Sequence, residues 1–254
     1  MQETISFMNR LADASGDLIR RYFRNDYQTD DKARHDPVTE ADRATETLLR
    51  DMILAQYPDD GIQGEEFGIT EGASGRVWVI DPIDGTRAFA VGRATFATLI
   101  ALCVDGQPVL GCIDQPIMRD RWIGAAGMTT HNGQICRTRP CAGAPALVTT
   151  APGMFVTPRE KAAIAAMEAQ ARFTAYGGDS YAYGLLSSGF CDAVVEAHLK
   201  AHDVMAVIPV IQGAGGVITD WSGRVPTLAH CSGETLACGD AGEHQRLLSL
   251  LSVA

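Results

Sequence analysis

Two aspartates that follow a short apolar stretch are the residues of this chain best suited to chemistry. Residues 80–86 read Ile-Asp-Pro-Ile-Asp-Gly-Thr and come after the apolar residues 77–79, which predict a short strand buried on both faces. The proline removes a backbone donor and holds the first aspartate extended, while Gly85 lets the backbone approach a ligand closely. Carboxylate oxygens beside exposed N–H groups and the Thr86 hydroxyl suit a hard cation and a phosphate together.

Three more acidic clusters lie where predicted elements begin or end. They are Asp42, the pair Glu65–Glu66, and Asp203. Each has a purely structural alternative, because Asp42 can complement a helix dipole, the glutamates can form a solvated turn, and Asp203 can cap a helix. The aspartates within residues 81–84 are harder to explain in this way, since carboxylates at the end of a buried strand are costly unless they bind something.

The donor types favour magnesium over other cations. Residues 81–86 lack the spacing of an EF-hand calcium loop, because an isoleucine occupies position 83 and the glycine comes one place early. Zinc prefers histidine and cysteine, and of these only His202 lies in the clusters; His198 precedes it by four residues, but Leu199 replaces the glutamate of a zinc-protease motif. We interpret both histidines as structural or substrate-adjacent, and the oxygen ligands as a site for Mg²⁺ or Mn²⁺.

The sequence offers no support for a covalent mechanism. Ser187-Ser188-Gly189 lacks the pattern of a nucleophile elbow, and no serine–histidine–aspartate or cysteine–histidine arrangement can be argued. Residues 213–216 lack the lysine of a P-loop and follow a predicted helix, so that they are interpreted as a helix C-terminus with close packing. Water activated by metal ions is therefore the predicted nucleophile.

The composition is that of an ordinary globular protein. The 254 residues are 46% hydrophobic and 20% charged, which allows a substantial core in one domain or two closely packed ones. A formal net charge of -10 argues against a basic nucleic-acid-binding surface, although a local patch stays open. Seven cysteines without a Cys-x-x-Cys pair indicate a reducing compartment. Because neither a signal peptide nor a run of membrane-spanning length is visible, we expect a cytoplasmic protein without membrane partners.

The elements that must position these residues change character along the chain. An amphipathic helix comes first, a polar stretch at 24–37 follows as a loop or hairpin, and a second helix is capped at 39–42. Strands dominate from 61 to a turn at 131–133 and include a hairpin at 98–113. This first half, 1–144, contains most of the acidic clusters.

Strands and helices alternate in the second half, 145–254, which contains Asp203. One helix is predicted over 203–212, with Pro209 either kinking it or lying after a short first turn. The two halves together predict an α/β fold in which two sheets are layered with helices in one compact unit.

The four acidic clusters, in this order, resemble the inositol monophosphatase superfamily of Mg²⁺-dependent, lithium-sensitive phosphatases. The matching segments are Asp36-Pro37-Val38-Thr39-Glu40-Ala41-Asp42, Gly64-Glu65-Glu66, Asp81-Pro82-Ile83-Asp84-Gly85-Thr86, and His202-Asp203 with Gly215-Gly216. The similarity runs from the first helix nearly to the C-terminus. It implies the layered αβαβα sandwich of the sugar phosphatases and a homodimer, which is common in the family.

Within the superfamily, the chain most resembles the histidinol-phosphate phosphatases. The residues that carry this resemblance are 176–184 (Tyr-Gly-Gly-Asp-Ser-Tyr-Ala-Tyr-Gly), 194–197 (Val-Val-Glu-Ala) and 216–221 (Gly-Val-Ile-Thr-Asp-Trp). Two departures bear on the expected substrate pocket: His202 stands where the family usually has an aromatic residue, and Gln212 where an acidic residue is common.

The resemblance implies a metal-binding role for five residues. Glu65, Asp81 and the Ile83 carbonyl would hold one Mg²⁺, while Asp81, Asp84 and Asp203 would hold a second. A third, weaker ion would use Glu65 and water. Clustered carboxylates agree with this assignment, since they cannot all stay ionised without cations between them.

The catalytic and phosphate-binding roles follow from the same resemblance. Asp42 and the Thr86 hydroxyl, together with Glu65, would orient and deprotonate the attacking water. The Gly85 and Thr86 amides would hold phosphate oxygens, and Arg87 is a further candidate on the phosphate side.

The remaining implied contacts face the substrate. Asp179, Ser180 and Glu196 match positions that touch its organic part, and Asp84 and Asp203 also border it. Acidic side chains there suit the ammonium and imidazole of L-histidinol phosphate. The alternative substrates are other small phosphorylated metabolites, namely inositol monophosphate, fructose 1,6-bisphosphate or a 3′-phosphonucleotide. The alternative function is that of a non-catalytic Mg²⁺-binding regulator.

Overall fold

The computed structural model describes residues 1–26, 29–33 and 36–253, and the side chains of residues 1–26 and 39–251. The helices span α1 Gln2–Tyr22, α2 Glu40–Gln56, α3 Thr86–Ala90, α4 Pro158–Gln170, α5 Tyr181–Ser187, α6 Ala201–Val204, α7 Val207–Gly213 and α8 Ala241–Val253, with a 3-10 helix at Pro152–Met154. The strands span β1 Thr29–Ala33, β2 Asp36–Thr39, β3 Gly61–Gly64, β4 Gly68–Thr70, β5 Arg76–Asp84, β6 Ala97–Val104, β7 Gln107–Gln115, β8 Asp120–Ala125, β9 Met128–His131, β10 Gln134–Ile135, β11 Ala146–Thr149, β12 Phe173–Tyr176, β13 Ala193–Glu196, β14 Val217–Thr219 and β15 Thr235–Cys238.

Helices α1 and α2 form the first layer because each carries one apolar face. Leu11 of α1 and Leu49 and Ile53 of α2 are buried together against the larger sheet. The predicted cap at the start of α2 is confirmed, since Thr39 and Asp42 form a reciprocal capping box. This cap fixes where the Asp42 carboxylate enters the fold.

The second layer is an eight-stranded sheet in the order β10-β9-β8-β7-β6-β5-β3-β4. Strand β5 lies parallel to β3 and antiparallel to β6, near the middle of the sheet. Trp78 and Ile80 face the first layer, whereas Val79 between them packs into the core on the other side. The prediction of a strand buried on both faces is thus confirmed.

The third layer holds α5, α6 and α7, and here the prediction of one helix over 203–212 is wrong. The structure has two helices, α6 ending at Val204 and α7 beginning at Val207. Pro209 lies in the first turn of α7, where its missing N–H is tolerated, but its ring would clash with an earlier helical turn. Helix α7 packs closely on the sheet, since a Cβ at Gly124 would lie 2.3 Å from the Pro209 carbonyl oxygen.

A five-stranded sheet in the order β12-β11-β13-β15-β14 and the helices α4 and α8 complete the fold. Strand β11 is parallel to β12 and β13, and β15 is antiparallel to β13. The outer helices cover this sheet with a separate apolar cluster that includes Ile164 and Leu247. The layers therefore follow the predicted αβαβα order, while the division at 144/145 stays a prediction.

The polar stretch before α2 contains the predicted hairpin. Strands β1 and β2 pair antiparallel, with Thr29 opposite Thr39. The Asp36–Val38 part of the first acidic motif lies outside the described side chains. Among the described residues, no helix combines the length and apolar character needed to cross a membrane.

Candidate active site

Two neighbouring strands deliver Glu65 and Asp81 to the same edge of the larger sheet. Because β3 and β5 are parallel, their carboxyl ends lie together, with Gly64 paired to Ile80. The Glu65 N–H donates to the Ile80 carbonyl at 3.2 Å, which extends the pairing by one residue. The two acidic side chains therefore leave the sheet side by side.

A break in strand pairing brings Asp84 to the side of Asp81. Residues three apart on a regular strand point to opposite faces, but the register of β5 against β6 shifts between these two aspartates. The Thr98 hydroxyl donates to the Pro82 carbonyl at 2.8 Å, and the Ile83 N–H donates to Asp81 Oδ1 at 3.1 Å. These bonds hold the irregular backbone that the proline begins.

The acidic residues converge in three overlapping groups. Within each group, one ligand atom per residue lies within 4.8 Å of the others; the groups are Asp81–Asp84–Asp203, Glu65–Asp81–His202 and Asp42–Glu65–Glu66. Because Asp81 and Glu65 each belong to two groups, the clusters form one continuous patch. We call Asp42, Glu65, Asp81, Asp84 and Asp203 the acidic edge.

Burial raises the pKa of the four aspartates at the acidic edge. Desolvation, opposed by hydrogen bonds from Thr39, brings the pKa of Asp42 to about 6. Desolvation and the Asp203 charge bring that of Asp84 to about 7, and desolvation brings that of Asp203 to about 6. Burial and four neighbouring carboxylates raise the pKa of Asp81 well above its usual range. Keeping all of these carboxylates ionised without bound cations is therefore energetically unfavourable, as expected of a site that binds cations.

Thr86 links the end of β5 to α2. Its hydroxyl lies 3.0 Å from the Ile83 carbonyl oxygen and 3.4 Å from Asp42 Oδ1. The other oxygen of Asp42 accepts the Thr39 N–H at 2.9 Å and the Thr39 hydroxyl. The Ile83 side chain is buried, so the group that this residue offers at the site is its carbonyl. The Asp42 carboxylate and the Thr86 hydroxyl thus lie together at one side of the acidic edge, where they could orient a water.

A cavity adjoins the acidic edge on the side of the smaller sheet. We call it the inner pocket; its volume is about 150 Å³, and it is lined by Asp84, Arg87, Thr150, Met154, Asp179, Ser180, Tyr183, Glu196, Ala197, His198, Leu199 and Asp203. A neighbouring cavity of about 220 Å³ contains the acidic edge from Glu65 to Asp203 and shares Asp84, Asp179 and His198 with it. The predicted substrate residues are therefore brought to one continuous space beside the predicted metal ligands.

The carboxyls of the inner pocket also have raised pKa values. Desolvation and the Asp84 charge bring the pKa of Asp179 to about 7, against the opposing charges of Arg93 and Arg87. The same two causes bring that of Glu196 to about 8. A cation bound between them would restore their charge.

Backbone conformation fits Asp179 against the end of β5. Asp179 has a φ of 46°, and it follows Gly177 and Gly178, which also have positive φ. Gly85 has a φ of 84°, and a Cβ there would lie 2.7 Å from Asp179 Oδ2. The Ser180 N–H, next along, donates to Asp84 Oδ2 at 2.6 Å. The close approach allowed by Gly85 therefore joins the inner pocket to the acidic edge.

Residues 1–252 match the Inositol monophosphatase family. The chain belongs to the inositol monophosphatase family. It is 44% identical to the bifunctional phosphatase IMPL2, chloroplastic, of Arabidopsis thaliana over 254 aligned residues, which cover 96% of this chain and 73% of that protein. It is 36% identical to a histidinol-phosphatase of Chlorobaculum parvum over 218 residues, 84% of each chain. A solved structure of an inositol monophosphatase from Zymomonas mobilis superposes with a TM-score of 0.89 at 43% identity, covering 99% of this chain and 98% of that one.

These comparisons show that the protein is a phosphatase of the inositol monophosphatase family, with histidinol-phosphatases among its relatives. The predicted superfamily and the layered fold are confirmed. The roles given to individual residues stay predictions.

His202 and Gln212, the two residues that depart from the family pattern, lie in different surroundings. The His202 ring is nine-tenths buried at the acidic edge, with Nε2 3.7 Å from Asp203 Oδ1. Gln212 is exposed on α7 and lines neither of the two cavities described above. Gln212 therefore lies away from both cavities, because its helix presents it to solvent.

Sequence reasoning missed two supporting side chains. Glu46 is fully buried on α2 and accepts the N–H groups of Glu66 and Phe67 at 2.6 and 3.0 Å, which fixes the turn that carries Glu65. Its position four residues after Asp42, on the apolar face of α2, was a readable signal. Tyr183 donates to Glu196 Oε2 at 2.9 Å, a contact between distant segments that spacing does not reveal.

Proposed function

We propose that this phosphatase hydrolyses L-histidinol phosphate to L-histidinol and phosphate, using Mg²⁺ and a water nucleophile. The observation that carries the proposal is the inner pocket, where Asp179 and Glu196 lie beside the acidic edge. The histidinol-phosphatase of Chlorobaculum parvum and further proteins of that name are among the relatives, which supports the same substrate.

The donor set of the acidic edge fits divalent cations. It consists of carboxylates in overlapping groups, within each of which one ligand atom per residue lies within 4.8 Å of the others, and burial and mutual repulsion raise the pKa values of Asp81 and Asp84. We assign Glu65, Asp81 and the Ile83 carbonyl to one ion and Asp81, Asp84 and Asp203 to a second, with Glu65 and water for a weaker third. When bound, Mg²⁺, or Mn²⁺ in its place, supplies positive charge that offsets the charge on the phosphate and acidifies water.

Asp42 and Thr86 would position the water that acts as the nucleophile. The Thr86 hydroxyl and Asp42 Oδ1 lie 3.4 Å apart, close enough for both to contact one water molecule. Asp42 would take the proton of that water with the help of Glu65, since its buried carboxylate lies beside the Thr86 hydroxyl at the acidic edge. The Gly85 and Thr86 N–H groups and the Arg87 guanidinium would hold the phosphate oxygens.

The inner pocket would take the organic part of the substrate. Asp179 and Glu196 provide two carboxylates for the ammonium and the imidazole, and these cations would offset the burial that raises the pKa of both groups. The Ser180 hydroxyl is buried, and its oxygen has no hydrogen-bond partner among the described residues, so it is available for a further polar contact. Asp84 and Asp203 border both spaces and would contact the substrate where it meets the ions.

The test compares kcat/KM for L-histidinol phosphate and inositol 1-phosphate, with and without Mg²⁺. We expect at least a tenfold preference for L-histidinol phosphate, about 1.4 kcal/mol in the transition state, and no turnover without a divalent ion. Equal use of both esters would reject the proposed substrate. Absence of phosphate release from any small phosphomonoester would favour a non-catalytic Mg²⁺-binding regulator instead.

Inositol 1-phosphate is the second candidate substrate. The inositol monophosphatase from Zymomonas mobilis is 43% identical and superposes over 99% of this chain, which favours it. A neutral polyol, however, leaves the two carboxylates of the inner pocket without a cation. A preference for inositol 1-phosphate in the comparison above would decide for this candidate.

We further propose a cytoplasmic homodimer that is inhibited by lithium; the resemblance implied the dimer and the lithium sensitivity, and the cysteine content indicated the compartment. All seven cysteines are free, and four of them are buried, which supports a reducing compartment. Light scattering of the purified protein and a lithium titration of its activity test the other two points.

A further inference from the structure

A chain of buried hydroxyl groups ends on the Glu196 carboxylate. The Tyr183 hydroxyl lies 2.9 Å from Glu196 Oε2 and 2.7 Å from Thr235 Oγ1. Tyr183 is 1% exposed, Thr235 is fully buried and Glu196 is 8% exposed. Neither hydroxyl is needed for the phosphate chemistry proposed above.

The direction of these hydrogen bonds is fixed once Glu196 is ionised, as it would be beside a bound cation. An ionised Glu196 can only accept, so the Tyr183 hydroxyl donates to it and the Thr235 hydroxyl donates to the Tyr183 oxygen. Burial and the Glu196 charge raise the pKa of Tyr183 far above neutrality, which keeps its proton in place as the donor. The hydrogen bond engages Oε2, and the carboxylate lines the inner pocket, so the second oxygen is left for a ligand.

Three elements build this chain of contacts. Glu196 on β13 is paired with Thr235 on β15 in the antiparallel register, which puts the two residues next to each other. Tyr183 reaches them from α5. Tyr181, two residues earlier on the same helix, points elsewhere, and its hydroxyl donates to Asp120 at 2.8 Å. Of the two tyrosines that α5 contributes to residues 176–184, Tyr183 therefore lines the inner pocket and Tyr181 does not.

We infer that Tyr183, aligned by Thr235, is a positioning residue that fixes the Glu196 carboxylate to receive a cationic nitrogen of the substrate. The inference rests on the proposed function, because it requires a substrate with an ammonium or imidazolium group. A buried carboxylate that accepts one oriented donor keeps a single rotamer, so that its other oxygen meets the ligand without reorganisation. Tyr183 does not line the cavity that contains the acidic edge, so its effect is confined to the organic part of the substrate.

The experiment measures kcat and KM of the Mg²⁺-loaded enzyme for L-histidinol phosphate and for an ester without nitrogen, inositol 1-phosphate. We expect Tyr183→Phe to lower kcat/KM for L-histidinol phosphate about tenfold, mostly through KM, and to lower that for inositol 1-phosphate less than threefold. Thr235→Val, which removes the second hydroxyl at similar volume, should shift the ratio in the same direction by about threefold. Tyr181→Phe is the matched control on the same helix and should leave the ratio unchanged.

The outcomes separate this inference from the proposed substrate. An equal loss on both esters, or an unchanged ratio in Tyr183→Phe and Thr235→Val, overturns the positioning role while the wild-type preference still stands. A wild-type enzyme without preference for L-histidinol phosphate overturns the substrate and the inference with it. In the double variant Tyr183→Phe with Glu196→Gln, the loss should be no larger than in Glu196→Gln alone, because Tyr183 acts through that carboxylate.

Discussion

The acidic edge and the inner pocket both bury carboxylates, but they compensate the charges differently. At the acidic edge, ligand oxygens of Asp81, Asp84 and Asp203 lie within 4.8 Å of one another, and mutual repulsion adds to the cost of burial. In the inner pocket, Glu196 accepts a hydrogen bond from Tyr183, which Thr235 supports. The first region therefore depends on ions from solution, whereas the second is largely organised by the protein. Changes in the two regions should affect different steps, metal-dependent chemistry in one and choice of substrate in the other.

The largest effect is expected from Asp84→Asn at the acidic edge. Loss of this charge should lower kcat at least about a thousandfold, roughly 4 kcal/mol, because Asp84 is assigned to the second ion. The fold should persist, since the substitution removes a carboxyl whose pKa burial raises to about 7. Phosphate release and thermal unfolding are the measurements.

Asp51→Asn on the exposed face of α2 is the control for Asp84→Asn and should retain full activity. More than a few per cent of wild-type turnover in Asp84→Asn would contradict the two-ion assignment.

Stability of the ion-free protein should fall as pH rises from about 4 to about 7. The folded-state pKa values of Asp42, Asp84 and Asp203 lie at about 6, 7 and 6, against 3.8 ordinarily, so the folded state holds protons that the unfolded chain has released. The stabilisation by these protons is complete below pH 4 and lost above pH 7. Mg²⁺ should therefore raise the Tm more at pH 8 than at pH 5, as scanning calorimetry can show.

Asp84→Asn isolates the acidic edge in the same calorimetric experiment. Its ion-free Tm should decline less between pH 5 and pH 8 than that of the wild type, whereas other titrating groups, such as His244 with its lowered pKa, contribute equally to both proteins. Identical slopes would show that the acidic edge does not control this pH dependence.

Gly85→Ala tests the junction between the two regions. A Cβ at this position would lie 2.7 Å from Asp179 Oδ2, and the φ of 84° disfavours alanine. We expect kcat/KM to fall about a hundredfold for either ester, roughly 2.7 kcal/mol, because both regions are displaced together.

Gly106→Ala separates backbone strain from the contact with Asp179. Gly106 has a φ of 77°, and nothing lies within 4 Å of its missing Cβ, so this variant should lose stability and keep its activity. Equal activity of Gly85→Ala and Gly106→Ala would show that the close approach is unimportant.

A smaller effect than that of Gly85→Ala is expected from Glu196→Gln in the inner pocket. Removing this charge should reduce the preference for L-histidinol phosphate over inositol 1-phosphate about tenfold, roughly 1.4 kcal/mol, and leave Mg²⁺ dependence as it is. Glu234→Gln, beside Thr235 but paired with Arg159, is the control. A changed Mg²⁺ requirement in Glu196→Gln would mean that the two regions are not separable.

The sequence alone predicted most of the acidic edge, because its residues lie in short motifs at strand and helix ends. Asp81 and Asp84 follow a buried apolar run and Glu65 follows another predicted strand, which local patterning revealed, whereas the resemblance of the ordered motifs to the family implied that they share one site. The hairpin of β6 and β7 was equally readable, since its turn and alternation are local. The single helix predicted over 203–212 failed because the helical pattern outweighed the break that Pro209 requires.

What only the tertiary structure decided is how distant segments meet. The register of β13 against β15 pairs Glu196 with Thr235, and packing of α5 brings Tyr183 onto both. The spacing of residue types along the chain reveals the periods of helices and strands, and therefore the ends of these elements, at which the candidate metal-binding residues lie. Strand register and the packing of layers depend on contacts between residues far apart in the chain, and no local pattern of residues encodes these.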